Sequence, residues 1–494
     1  MRNSLPARLL SVLLLSACGT TVPLGAQQSG GLDSSGLAGS GGTSPNGSTA
    51  QGAVGSSGVG AAGSTGTGTT GAGSTGTTRL GGSTTLAAGT GSGGVGTSTQ
   101  LGVSDHTPII VGFETIQGGN QFIANGFGTP VNFGDGHKEI NAIVADLNAH
   151  GGINGRPIKP VFADWDAASG DQGRQQDCAT LIDDGHAQFI MTVININSTL
   201  LACTAKHGIP LVNASLGAGD DDLYKTYGAN FYSPSMMSLN RESSLLLHRL
   251  MERGILVRGK KVGVVIDGTD PMYARVMKET EEPTLKALGL PYDSGTVNAE
   301  ADVSSAVLRF KTDGVKQVVF IAPNGIIATL FMQSAEQQNY RPTYGMGDST
   351  SAWFAAKAAP PAQVKGFQGV GSLPLGNVET AQYPTTPRER SCLNIIAKGG
   401  EPNSDRHTSI TATVYCEATW AWAAVARLVQ GPLTAAAWRA AYPRVGTTYQ
   451  PVTTFEDDFG NGQHGNVRKY RDMGYSAGCS CIAYQGPLRD VPLS

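Results

Sequence analysis

The sequence has little charge of either sign and no run of lysine or arginine: 15% of its residues are Asp, Glu, Lys or Arg, and the formal net charge is −3. Nucleic-acid binding needs a concentrated basic patch, so that class is excluded. No apolar run approaches the roughly 20 residues of a membrane-spanning helix. There is no Gly-x-x-x-x-Gly-Lys phosphate loop, no Gly-x-Ser-x-Gly nucleophile turn and no His-Glu-x-x-His zinc word. The eight histidines are scattered. No enzyme activity, cofactor or metal site is therefore expected. Cysteine is nearly absent from the first third of the chain, where Cys18 is the only one before Cys178.

What is abundant is glycine, 68 residues of 494, crowded before residue 106. Residues 19–105, rich in Gly, Ser, Thr and Ala, cannot bury enough apolar area to offset chain entropy. They are expected to be a disordered tether, with an r.m.s. span of roughly 50 Å for a coil of that length. Residues 1–18 read as an export signal. Arg2 and Arg8 form a basic start, Leu9 to Leu15 a short apolar stretch, and Ser16-Ala17 precede Cys18. Leu15-Ser16-Ala17-Cys18 resembles a bacterial lipobox, whose cysteine carries a diacylglycerol anchor. An ordinary secretory signal with a chance cysteine is the alternative. Six cysteines then remain, an even number suited to an oxidising compartment. Sequential pairing, Cys178–Cys203, Cys392–Cys416 and Cys479–Cys481, is preferred among fifteen arrangements. Metal binding at Cys479 and Cys481 is the rival reading.

From Pro108 the texture becomes globular. Ile109–Phe113 reads as a buried strand, followed by a helix with Ile140, Ile143, Val144 and Leu147 on one face. Gly151-Gly152 stops that helix. Pro160–Ala163, Phe189–Val193 and Pro210–Val212 read as further strands, with helices between them. The alternation restarts at Val262–Ile266, Val318–Ile321 and Thr343–Met346. Between these strands, a helix through Tyr273, Val276 and Met277 is expected to end or kink at Pro283. A long helix over about 409–429 carries so wide an apolar stripe that it should be packed on both sides. The expectation is an α/β chain with two doubly wound parallel-sheet lobes.

Residues 146–158, Asp-Leu-Asn-Ala-His-Gly-Gly-Ile-Asn-Gly-Arg-Pro-Ile, resemble the Asn-x-x-Gly-Gly-Ile-x-Gly-Arg-x-Ile signature of type I periplasmic binding proteins. More narrowly, they are similar to the leucine/isoleucine/valine-binding family of ABC importers. The resemblance implies two lobes joined by a three-strand hinge, 106–232 plus 373–449 and 233–372 plus 450–494. It implies a monomer that holds an amino-acid-like small molecule in the interlobe cleft and passes it to an ABC permease from a lipid anchor on the extracytoplasmic membrane face. A lipid-anchored sensor signalling to a membrane receptor is the alternative. Carried over position by position, the resemblance puts Ser198, Thr199, Ala214, Ser215, Tyr273, Asn324 and Asp348 at the ligand. Ser198 and Thr199 would also cap a helix, and Asp348 would receive the ligand ammonium. The first cleft loop, Glu114 to Gly119, departs from the family pattern, as does Asn324, where a tyrosine is usual.

Overall fold

The computed structural model describes residues 107–117, 134–166, 169–215, 217–323, 325–401, 407, 410–460, 462 and 465–492. The export signal, Cys18, the tether, Gly118 and Gly119 of the first cleft loop, and Asn324 lie outside the described residues, while Glu114 to Gln117 of that loop are the end of the first strand.

Short, fully apolar stretches make the strands. Phe189–Thr192 and Val262–Asp267 are buried at every position, as expected where helices cover both faces of a parallel sheet. The first sheet holds β1 (Ile109–Gln117), β2 (Ile158–Asp166), β3 (Phe189–Thr192), β4 (Leu211–Asn213) and β5 (Phe231–Tyr232), in the order β2-β1-β3-β4-β5. All of its pairings are parallel. The second sheet holds β6 (Val262–Asp267), β7 (Tyr292–Val297), β8 (Gln317–Ile321), β9 (Thr343–Met346) and β10 (Phe367–Gly371). These five run parallel in the order β7-β6-β8-β9-β10. That order repeats the first sheet strand for strand, so the two-lobed α/β expectation holds. An antiparallel hairpin, β11 (Lys469–Ser476) and β12 (Cys481–Asp490), extends the second sheet beyond β10. β7 and this hairpin escape sequence reading because they mix polar and apolar residues and lie at or near the sheet edges.

The chain crosses between the sheets three times: after β5, after β10, and before β11. The first and third crossings touch through a bridge between Ser233 and Gly465. Between the second and third crossings, helix Ile410–Arg427 packs against β3 and β4. Nearly all its side chains are buried, matching the predicted two-sided packing. Trp422, on its inner face, meets the Phe189 ring at 5.4 Å. The Trp438 indole N–H donates to the Trp422 carbonyl at 3.2 Å.

The signature word now has a structural reason. Gly152 has φ +61°, and a Cβ there would lie 2.1 Å from the Arg156 carbonyl oxygen. Only glycine permits that close approach. Ile153 and Arg156 then exchange backbone hydrogen bonds of 2.9 and 3.0 Å, closing a tight turn. Asn148 pins the next strand, donating to the Ile158 carbonyl at 2.9 Å and accepting from the Ile158 N–H at 2.7 Å.

Pro283 does not end the run. The helix Pro271–Val276 widens into a π-turn, Met277–Glu281, and resumes as Glu282–Ala287. The proline then sits in the first turn of the resumed helix, where its missing N–H costs little.

The three disulfides are Cys178–Cys203, Cys392–Cys416 and Cys479–Cys481, with Cα separations of 6.4, 6.1 and 5.2 Å. The first two join helix pairs and are buried on at least one side, while Cys479 is exposed at the β11–β12 turn. Reductant should therefore open Cys479–Cys481 first, because a thiolate must reach the sulfur it attacks. Differential alkylation with peptide mass spectrometry is expected to label Cys479 and Cys481 before Cys392 and Cys416.

Candidate functional site

In open parallel sheets, ligands bind beyond the carboxyl ends of the strands. In this chain the segments leaving the two sheets at those ends meet each other. Asp220, after β4, caps helix Asp221–Tyr227 by accepting from the Leu223 N–H at 3.0 Å. Its other oxygen accepts from Arg275 Nε at 2.7 Å. Arg275 lies on the helix that follows β6 of the second sheet. Nearby, the Asn240 amide accepts from the Asp221 N–H at 2.9 Å and donates to Thr280 Oγ1 at 2.8 Å.

Asp270 caps the second-sheet helix, accepting from the Met272 N–H at 2.8 Å. Burial raises its pKa, and the charges of Asp220 and Asp171 add to the effect. Asp171, which follows β2, accepts from the Asn197 amide at 3.1 Å. The interface between the lobes is therefore rich in carboxylates from both sides, answered by Arg275 alone among the ion pairs described there.

Behind this interface, each lobe has a buried charged cluster. In the first, Glu114 on β1 pairs with Arg174 and accepts from Thr192 Oγ1 at 2.5 Å. Arg174 is only 3% exposed, donates to the Asn195 carbonyl at 2.9 Å and stacks 4.3 Å over the Trp165 ring. Burial, then the Glu114 charge, pushes the Asp177 carboxyl up to about 7. At the rim of the same sheet, His137 Nε2 lies 2.7 Å from Asp164 Oδ1 and the ring stacks on Phe162 at 4.1 Å.

In the second lobe, Glu242 accepts from the Ser349 N–H at 3.0 Å and from Ser349 Oγ at 2.6 Å. Burial, then the charge of Asp348, pushes its carboxyl up to about 8. Gly347 makes this approach possible, since a Cβ there would lie 2.0 Å from Glu242 Oε1.

This arrangement of paired lobes has relatives. The family model described as periplasmic binding protein matches residues 134–473, more than half of the chain. The chain belongs to the periplasmic binding protein family. Solved structures share the type I fold. A branched-chain amino acid ABC transporter protein from Thermus thermophilus with bound valine superposes with TM-score 0.60 at 16% identity, covering 78% of this chain and 96% of its own. A branched-chain amino acid substrate-binding protein from Streptococcus pneumoniae, in complex with isoleucine, gives 0.56 at 15% identity, with 78% and 99% covered. An ABC transporter solute-binding protein from R. palustris, in complex with 4-hydroxybenzoate, gives 0.58 at 13% identity, with 78% and 98% covered. No curated protein matches the chain.

The sequence-predicted positions of this periplasmic binding protein fall out unevenly. Ser198 is exposed and Thr199 half-buried at the start of helix Ser198–Lys206. Neither caps it. Asn197 does, accepting from the Leu200 N–H at 3.1 Å, because the helix already begins at Ser198, earlier than a cap at Ser198 or Thr199 would allow. Ala214 and Ser215 are buried just after β4. The Ser215 hydroxyl is engaged in its own turn, 2.9 Å from Asn213 Oδ1 and 2.8 Å from the Gly217 carbonyl. Tyr273 is buried on the Arg275 helix, its hydroxyl held well above its ordinary pKa by burial and by Asp267, Asp270 and Asp220.

Asp348 departs most from expectation. Its carboxylate accepts from the Ser372 N–H at 2.9 Å, the Leu373 N–H at 3.1 Å, the Asn377 amide at 2.6 Å and the Ser372 hydroxyl. It clasps the start of the second crossing and has no lone pair left for a ligand ammonium. Burial is the reason: a carboxylate 1% exposed must be fully hydrogen-bonded inside the protein.

Asp220, Asp270, Arg275 and Glu242 were not legible as site residues. The Asp270-Pro271 pair did carry a signal, an N-cap followed by proline at the first helical position.

Arg275 ties the lobes together, so Arg275→Ala should loosen them. Removing the charged partner of a buried carboxylate typically costs enough to weaken closed-state binding by roughly tenfold. Small-angle scattering should show an increased radius of gyration for the variant. An unchanged scattering profile would show that the bridge does not hold the lobes.

Proposed function

We propose that this chain is an extracytoplasmic solute-binding lipoprotein that delivers an amino acid or a related small polar solute to an ABC importer. One observation carries the reading. The loops at the carboxyl ends of two matching sheets face each other, and side chains from both sides meet at Asp220 and Arg275. Two such lobes can close over a guest by bending at their crossings, and a ligand drives closure only through contacts it gains in the closed state.

The valine, isoleucine and 4-hydroxybenzoate named for the solved relatives all carry a carboxylate. In this chain the amide-capped start of helix Ser198–Lys206 offers unpaired backbone N–H groups suited to that group. The carboxylate Asp270 is placed to receive an ammonium in the role first assigned to Asp348. The lobes are taken as 106–232 plus 373–449 and 233–372 plus 450–494. Cys18 supplies the lipid anchor and residues 19–105 the tether. The chain acts as a monomer on the outer face of the cell membrane.

Mass spectrometry of small molecules released from natively purified protein should find an amine-bearing carboxylate. Thermal shifts with amino acids, amides and aromatic acids should then rank it. Asp270→Asn is expected to lower affinity for an amino acid by about tenfold and leave that for an aromatic acid unchanged. Cys18→Ala should move the protein from the membrane fraction to the soluble one; membrane retention would count against the anchor.

A further inference from the structure

On the hinge, away from the residues assigned to the cleft, the second and third crossings and the start of helix Pro387–Lys398 enclose an open groove of about 590 Å³. That volume falls in the range of small-molecule sites, roughly 300–1,000 Å³. Its walls are aromatic. Tyr383 and Phe455 meet nearly edge-on at 5.2 Å, with Tyr449 beside them.

Two of its charged groups each carry one atom without a hydrogen bond. Asp457 is 2% exposed and lines the groove. Its Oδ1 accepts from Thr454 Oγ1 at 2.8 Å, while Oδ2 has no hydrogen bond. Burial, reinforced by the Glu417 charge, holds this carboxyl well above its usual range. Arg388 also lines the groove, its guanidinium stacked 3.9 Å over the Trp420 ring and its Nε unpartnered.

Arg388 and Asp457 line the same groove, and both act electrostatically on Tyr449. Glu417 does not answer Arg388 directly. Its Oε2 accepts from the Val452 and Thr453 N–H groups at 2.5 and 3.1 Å, and its Oε1 is unpartnered. The other charged lining groups, Glu456 and Arg468, are exposed at the rim. Buried polar atoms are almost always hydrogen-bonded, so an acid and a base that line one groove, each with an unpartnered buried atom, call for a molecule that satisfies both.

We propose that this groove is a second binding site, distinct from the interlobe cleft, for a small zwitterion of the amino-acid class with an aromatic side group. Its ammonium faces Asp457, its carboxylate faces Arg388, and its ring packs among Tyr383, Tyr449 and Phe455. Because two of the crossings form the walls, occupancy there is coupled to lobe movement, and the coupling is reciprocal with the cleft ligand.

The test is calorimetric titration of the full chain with L-phenylalanine, phenethylamine and 3-phenylpropionate. The same titrations are run on Asp457→Asn, Arg388→Gln, Gln450→Trp and the cleft variant Asp270→Asn. Gln450 is exposed on the rim, so its replacement by tryptophan fills the groove without disturbing the core.

A phenylalanine-binding component is expected to survive in Asp270→Asn. It should weaken by about tenfold or more in each of the three hinge variants. Phenethylamine should respond to Asp457→Asn alone among the two charge variants, and 3-phenylpropionate to Arg388→Gln alone. No saturable binding of phenylalanine to the Asp270→Asn protein up to about 10 mM would overturn the proposal. So would binding that none of the hinge variants changes. Gln450→Trp keeps the test decisive if Asp457→Asn fails to fold.

Discussion

Arg174→Met should cost the fold about 3–5 kcal/mol, the usual size when one partner of a buried ion pair is removed. Glu114 would be left as an uncompensated charge at a site with no solvent access, beside the Asp177 carboxyl. The methionine fills much of the volume but cannot reproduce the bonds to Glu114 and the Asn195 carbonyl. Urea denaturation should show a lower midpoint with little change in slope. The double variant Glu114→Gln, Arg174→Met removes the stranded charge as well, and it should recover most of the loss. If the double variant is no more stable than Arg174→Met, the cost lies in packing against Trp165 rather than in the buried charge.

The second large effect concerns pH. Glu139, Glu242 and Glu281 are pushed up to about 8 and Asp177 to about 7, burial being the first cause in each case. In the unfolded chain these groups ionise near pH 4 to 4.5, so between roughly pH 4 and 8 the folded state binds more protons than the unfolded state. Their contribution to stability is therefore fully present below about pH 4 and is lost as pH rises through 7 to 8.

Opposing groups act lower on the scale. Glu336, held down to about 2 by its hydrogen bonds to Arg341 and Gln363, favours the folded state above about pH 4 and loses that contribution in acid. The melting temperature is thus expected to peak near pH 4 and to fall by several degrees or more by about pH 8.5. Glu281→Gln removes one ionisation without changing shape, so its curve should be flatter, with the gain over the parent largest at high pH. A parent melting temperature that rises from about pH 5 to 8.5 would reject this assignment.

Much of the architecture was written locally. Short apolar runs between helix-period segments marked seven of the ten parallel strands, all but β5, β7 and β10, because a strand covered on both faces must be apolar throughout. β9 (Thr343–Met346) falls where the sequence placed it. The misses have physical causes. β7, Tyr-Asp-Ser-Gly-Thr-Val, is an edge strand with one side free of a neighbour, and β12 ends in exposed residues. Neither needs an apolar run. At Pro283 the rule that proline breaks helices was overridden by a π-turn that resets the hydrogen-bond register before it.

The candidate site was far less legible, and Asp348 shows why. Its position after β9 was correctly read, but whether a carboxylate there faces a guest or the protein depends on what the second crossing brings to it. That crossing supplies Ser372, Leu373 and Asn377, some 24 to 29 residues away. Conversely, Asp220 and Arg275 lie 55 residues apart, and neither stands out in its own segment.

The sequence alone determined the two-lobed α/β pattern, the Gly151-Gly152 turn and the even set of cysteines after Cys18. Periodicity, backbone conformation and composition are properties of neighbouring residues. Only the tertiary structure decided which charges meet, Arg275 with Asp220 across the lobes and Arg174 with Glu114 beneath the sheet end, and that Asp457 and Arg388 line one groove at the hinge. Electrostatic partnership depends on distance in space and on exclusion of water, and neither is set until distant segments pack.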